Sequence, residues 1–158
     1  MSALFSDVVG STEFLTQLGD VAADDLRRAH HLAQAAAVKE NHGEVVKSLG
    51  DGLMAVFEGA ADAVDAAVAI QDSTTRIAAE YDVNLRVRVG IASGDASTED
   101  GDWHGTPIVE ASRLCAAARG GQVLVADLSR RLAGSRIWRG WTPCSTSSGS
   151  AGTAAACI

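Results

Sequence analysis

The sequence predicts an α+β domain built on a mainly antiparallel sheet, with helices covering at least one face. Three observations lead there. Short apolar runs rich in β-branched residues recur along the chain, and long segments of small apolar residues at helical spacing separate them. Two of the runs are joined only by Gly50-Asp51-Gly52, a connection too short for a crossover, so those strands must be antiparallel. The 158 residues suffice for one core-bearing domain.

Residues Ala3 to Val9, ALFSDVV, read as a buried strand interrupted by one carboxylate, Asp7. An unpaired buried carboxylate costs several kcal/mol, so Asp7 must sit at a strand end, pair with a cation or bind metal. Gly10-Ser11-Thr12-Glu13 follows, with a hydroxyl at the N-cap of a short helix carrying Phe14, Leu15 and Leu18. A strand, a carboxylate and then a helix N-terminus suit phosphate, because free N–H groups lie beside a metal ligand. An ordinary strand-to-helix turn explains the same residues.

Gly19-Asp20 breaks that helix, and Ala22 to Asn41 reads as a long one with Leu26, Ala29, His30, Ala33, Ala37 and Val38 at helical spacing. His30 and His31 point in different directions, and no further His or Cys stands at ligand spacing, which argues against a metal role for them. Strands Val45 to Leu49 and Leu53 to Phe57 follow, with Asp51 at the tip of their turn, where turn chemistry alone accounts for it. Gly59 to Tyr81 is a second long helix with an alanine-rich stripe. Val83 to Ser93 alternates like a strand and sets Arg86 and Arg88 on one face, a pattern that fits a ligand-facing pair but is commoner on a solvated or interface face. Gly94 to Gly105 reads as a loop, Pro107 opens a helix through Ala118, Gln122 to Ala126 is a short strand, and Asp127 caps a last helix to Leu132. From Trp138 the periodicity disappears, and irregular or disordered chain is expected from about Thr142.

A formal charge of −7 argues against nucleic acid or an anionic membrane as partner, since both need a basic face. Cys115, Cys144 and Cys157 are odd in number and lack metal-ligand spacing, which fits a reducing cytoplasm better than a disulfide framework. The N-terminus lacks the pattern of a signal peptide, and no window approaches the length of a membrane span. A cytoplasmic location is expected.

Five segments, LFSDVVGST, VVKSLGDGLMAVF, RVRVGIASGD, DWHGTPIVEASRL and GGQVLV, together resemble the catalytic domain of the class III nucleotide cyclases, the adenylyl and guanylyl cyclase family, and among these the bacterial homodimeric adenylyl cyclases. The resemblance covers roughly residues 3 to 133 and implies a ferredoxin-like or palm-like βαββαβ sheet, with a catalytic domain over 1–137 and an atypical tail over 138–158. It implies that Asp7, Asp51 and the carbonyl of Val8 hold two divalent cations, Mg or Mn, while Gly10, Ser11 and Thr12 hold phosphate. Lys47 and Asp102 match the pair that reads a purine, and Lys with Asp reads ATP: the ammonium donates to adenine's ring nitrogen and the carboxylate accepts from its amine. Arg113 matches the arginine that stabilises charge on the α-phosphate. The implied reaction is attack of the ribose 3′-oxygen on the α-phosphorus, giving 3′,5′-cyclic AMP and pyrophosphate. One chain carrying both residue sets implies a homodimer with two sites shared across its interface.

Two positions depart from the family pattern. Val109 stands where the family has an asparagine beside the arginine, so reduced turnover is expected. No lysine follows Lys47, so the family's C-terminal triphosphate lysine has no counterpart, unless Arg136 or Arg139 substitutes; the tail reads as though the coding frame shifts near Trp138. These departures leave open a catalytically weak or inactive homology domain serving regulation or dimerisation. A different two-metal nucleotidyl-transfer enzyme is the remaining alternative, and it would not need the Lys47 and Asp102 pair.

Overall fold

The computed structural model describes residues 1–10, 16–99, 102–134, 142–144 and 155–157. Strand β1 (Ser2–Val9) runs through the centre of the sheet, and helix α1 (Asp20–Glu40) returns the chain to the hairpin β2 (Glu44–Leu49) and β3 (Gly52–Phe57). Helix α2 (Ala60–Glu80) and strand β4 (Arg86–Ser93) complete a βαββαβ unit. Beyond it lie β5 (Ser97–Glu99), β6 (Asp102–His104), α3 (Thr106–Ala117), β7 (Val123–Val125), α4 (Asp127–Ala133), β8 (Thr142–Cys144) and β9 (Ala155–Cys157).

The main sheet has the order β2-β3-β1-β4-β7. Its first four strands are antiparallel neighbours in the ferredoxin-like arrangement, and β7 adds to β4 in parallel. The expected α+β fold with a mainly antiparallel sheet is therefore the observed one. Each face of β1 has its own core, because successive side chains of a strand point to opposite sides. Leu4 joins Leu53, Ala55, Phe57, Val87, Val89 and Ile91 against the small residues of α2, while Ala3 joins Ala92 and Leu124 against Ala111 and Leu114 of α3. Alanine on the helices lets them approach the sheet closely, which explains why so few aromatic residues suffice.

The segment expected as a loop, Gly94 to Gly105, contains a short antiparallel hairpin in which Thr98 lies opposite Trp103 and Glu99 opposite Asp102. Its three-residue strands are mostly exposed and give no burial period to read. In the region expected to be irregular, β8 and β9 pair antiparallel with each other. Among the described residues no helix is long and apolar enough to cross a membrane.

Candidate active site

Asp7 interrupts an apolar strand, and the register puts it opposite Arg88 of β4. Both Nη2 and Nε of Arg88 donate to the same Asp7 oxygen, at 2.5 and 3.0 Å, and Nη1 donates to the carbonyl of Ala116 in α3 at 3.0 Å. One guanidinium thus ties β1, β4 and α3 together beside the carboxylate. The two side chains are 40% and 30% exposed, so solvent screens the pair and its contribution to stability is on the order of 1 kcal/mol. Pairing with a cation is how this fold accommodates Asp7. The sequence alone leaves Arg88 on a face of undecided role; a single carboxylate in one strand and two alternating arginines in another are its signal, and only the register picks Arg88 as the partner. Arg86, its neighbour on that face, instead donates to Asn84.

The turn carrying Asp51 is pressed against β1. A Cβ on Gly52 would lie 1.9 Å from the carbonyl oxygen of Ser6 and 3.0 Å from the Cα of Asp7, so only glycine permits this approach. The contact brings the backbones of Asp7 and Asp51 together, although the two residues line different cavities. Asp51 lines one of about 400 Å³ with Val8, Arg27, Arg28, His30 and His31, and Asp7 lines one of about 170 Å³ with Phe5, Arg88, Ser112 and Cys115. Among the described residues no cluster of three or more His, Cys, Asp or Glu side chains could hold a metal. Asp7, Asp51 and the Val8 carbonyl offer hard oxygen atoms, the donor type that suits Mg or Mn, and Asp7 already pairs with a cationic group.

Lys47 and Asp102, the pair expected to read a purine, also meet. Lys47 donates to both oxygens of Asp102, at 2.8 and 2.7 Å, joining edge strand β2 to β6. A bulge between Val45 and Lys47 sets Lys47 opposite Met54, and such an extra residue re-aims the side chains that follow it. Hydrogen bonds from Lys47 and then from the Trp103 N–H hold the Asp102 carboxyl below the usual range, so it is an acceptor at neutral pH. Arg113 projects from α3, exposed, and makes no ion pair with the other candidates among the described residues. Val109, one turn earlier on the same face, is 50% exposed. The helix is fixed by Gly90 of β4, where a Cβ would fall 2.2 Å from the Ala111 carbonyl and the Cys115 N–H. Gly10 ends β1 exposed, with φ of 78°, whereas Ser11 and Thr12 lie outside the described residues. Burial, aided by Asp7, pushes the Cys115 thiol up to about 12, which removes it as a nucleophile.

His30 is buried on α1, its Nε2 2.9 Å from the Thr74 hydroxyl and its Nδ1 3.1 Å from the Gln34 amide nitrogen. Burial lowers its pKa from 6.5 to about 4, with Asp51 opposing and His31 assisting. The unfolded chain takes up a proton below 6.5 that the folded chain refuses until about 4. Stability is therefore complete above 6.5 and falls as the pH drops between those values, by about 2 kcal/mol at pH 5 and about 3 kcal/mol once below 4. Urea unfolding of the unmodified chain and of His30→Asn at pH 7 and 5 checks this: the variant should lose about 2 kcal/mol less between the two pH values. Equal losses would contradict the assignment.

Comparison with known proteins finds relatives of the whole domain. Residues 1–135 match the family model described as the adenylate and guanylate cyclase catalytic domain. The chain is 34% identical over 140 residues to a pH-sensitive adenylate cyclase of Mycobacterium tuberculosis, covering 85% of this chain and 32% of that protein. It is 31% identical over 121 residues to an adenylate cyclase of Streptomyces coelicolor, covering 77% and 31%. The chain thus spans about a third of the length of these curated relatives. Among solved structures, an adenylate/guanylate cyclase/hydrolase from Silicibacter pomeroyi superposes with a TM-score of 0.74 at 26% identity, covering 99% of this chain and 92% of that one. The adenylyl cyclase CyaB from P. aeruginosa, at 20% identity and a TM-score of 0.76 over 99% and 91%, shares the fold.

Proposed function

The chain belongs to the adenylate and guanylate cyclase catalytic-domain family, and from that membership we propose that it is an adenylate cyclase, forming 3′,5′-cyclic AMP and pyrophosphate from ATP between two copies of itself. The observation that carries ATP over GTP is the meeting of Lys47 with Asp102. On adenine's Watson–Crick edge a ring-nitrogen acceptor lies next to an amine donor, and an ammonium beside a carboxylate offers the complementary order. Because both side chains are more than two-fifths exposed, their mutual ion pair costs little to open when a base enters between them.

Asp7 and Asp51, with the Val8 carbonyl, would hold Mg or Mn, which supplies Lewis acidity toward phosphate and an acidified ribose 3′-hydroxyl. Arg88, held against Asp7, supplies a permanently charged fork beside that carboxylate, a charge that suits an anionic triphosphate. Arg113 reaches toward the α-phosphate from α3 of the partner copy and neutralises charge as the new P–O bond forms. Solvent-facing Val109 cannot donate a hydrogen bond to help it, which lowers the expected turnover and favours, as second reading, a domain kept for dimerisation or regulation.

Incubation with ATP or GTP and Mn or Mg, followed by product separation, tests the reading. Cyclic AMP from ATP, absent with Asp7→Ala, is expected. A larger yield from GTP would overturn the purine assignment, and no cyclic product from either nucleotide would leave the regulatory reading.

A further inference from the structure

The hydrogen-bonded ladder between β1 and β3 stops at Phe5 and Met54, two residues before Asp7 on one strand and three residues after Asp51 on the other, whereas β1 stays paired with β4 as far as Val9 and Arg86. Side chains close the gap. The Leu53 N–H donates to the Ser6 hydroxyl at 3.1 Å, that hydroxyl donates to Gln34 Oε1 at 2.5 Å, and Gln34 Nε2 donates to the carbonyl of Asp51 at 3.4 Å. Gln34 and Ser6 are buried, at 0% and 2% exposure.

The direction of every bond is forced from the far end. Thr74 gives its proton to the carbonyl of Ile70 at 2.7 Å, so its oxygen accepts from His30 Nε2. The Nδ1 of His30 is then bare and accepts from Gln34 Nε2, which fixes the amide with its oxygen toward Ser6. Reversing the amide would set acceptor against acceptor at both the His30 Nδ1 and the Asp51 carbonyl.

We infer that Gln34 is a positioning residue for the cation site, its amide setting the spacing of Asp7 and Asp51 by gripping Ser6, which precedes one, and the backbone of the other. Chelation by two carboxylates tolerates errors of about 0.5 Å, and no ladder bond supplies that accuracy at this end of the hairpin. His30 and Thr74 act through Gln34 by holding its orientation. The assignment rests on Asp7 and Asp51 being the metal ligands.

Calorimetric titration of the intact chain with Mn2+ in the absence of nucleotide, paired with thermal melting, tests it. Gln34→Met keeps the buried volume and should weaken Mn2+ binding tenfold or more. Ser93→Ala, which removes a buried hydroxyl bonded to Ser2 at the opposite end of β1, outside this chain of bonds, should bind Mn2+ as the unmodified protein does, whatever its melting temperature. Affinity within twofold in Gln34→Met, or an equal loss in Ser93→Ala, would overturn the role. Should Gln34→Met fail to fold, Thr74→Val keeps the shape and is expected to weaken binding about threefold through lost orientation of the amide; unchanged affinity there overturns the role as well. No Mn2+ binding by the unmodified chain would remove the metal reading and this assignment with it, whereas binding indifferent to Gln34 removes the positioning role alone.

Discussion

Chains carrying Asp51→Asn and chains carrying Arg113→Ala, each inactive alone, should recover activity on mixing, to about a quarter of the unmodified level. The fraction follows from the symmetry. Random exchange at equal amounts makes about half the dimers mixed, and each mixed dimer has one site with an intact aspartate from one copy and an intact arginine from the other. Its second site carries both lesions. Each single substitution should lower kcat by on the order of 10²- to 10³-fold, because each removes charge stabilisation that is stronger in the transition state than in the bound substrate. Misfolding should not confound the result: Arg113 is exposed without an ion pair among the described residues, and Asp51 accepts from Gln34 through its backbone carbonyl, which the side-chain change leaves in place. The measurement is cyclic AMP formation before and after mixing, with exchange shown by a tag on one variant. No recovery despite exchange would mean that each site is built within one chain.

The interleaving that this experiment probes was only partly legible in the sequence. The apolar run of β3 and the glycines around Asp51 fix a hairpin with a carboxylate at its tip, since strand and turn preferences act locally. The same glycine has a second cause that no local rule contains, the 1.9 Å approach to the Ser6 carbonyl. Lys47 could be marked by resemblance, but the bulge that aims it depends on which residues of β3 it faces. Gln34 looks like any polar residue on a helix until α2 and β1 enclose it, whereas the helical spacing already puts His30 on the stripe with Leu26 and Val38 that is buried in the structure. Arg88 carries its meaning only once the β1–β4 register sets it against Asp7. Local pattern therefore yields the elements and the candidate ligands, and tertiary register yields the groups that hold them in place.

Reversing the polarity of the Lys47 and Asp102 pair should invert the choice of purine. Guanine presents a donor at the ring nitrogen where adenine has an acceptor, and a carbonyl acceptor where adenine has an amine. Lys47→Glu combined with Asp102→Asn offers an acceptor to the first and an amide donor to the second, and it keeps one charge at the site rather than setting two carboxylates face to face. Each well-made base contact discriminates by about 1–3 kcal/mol, so two reversed contacts should lower kcat/KM for ATP by about 10²-fold or more and bring GTP above it. The bridge being replaced is exposed, screened by solvent, and joins an edge strand to a three-residue strand, so its loss should cost the fold little. Competition assays with both nucleotides read the ratio directly, and thermal melting separates specificity from folding. An ATP preference unchanged in the folded double variant would mean that Lys47 and Asp102 do not read the base, and their ion pair would then serve only to tie the β5–β6 hairpin to the sheet.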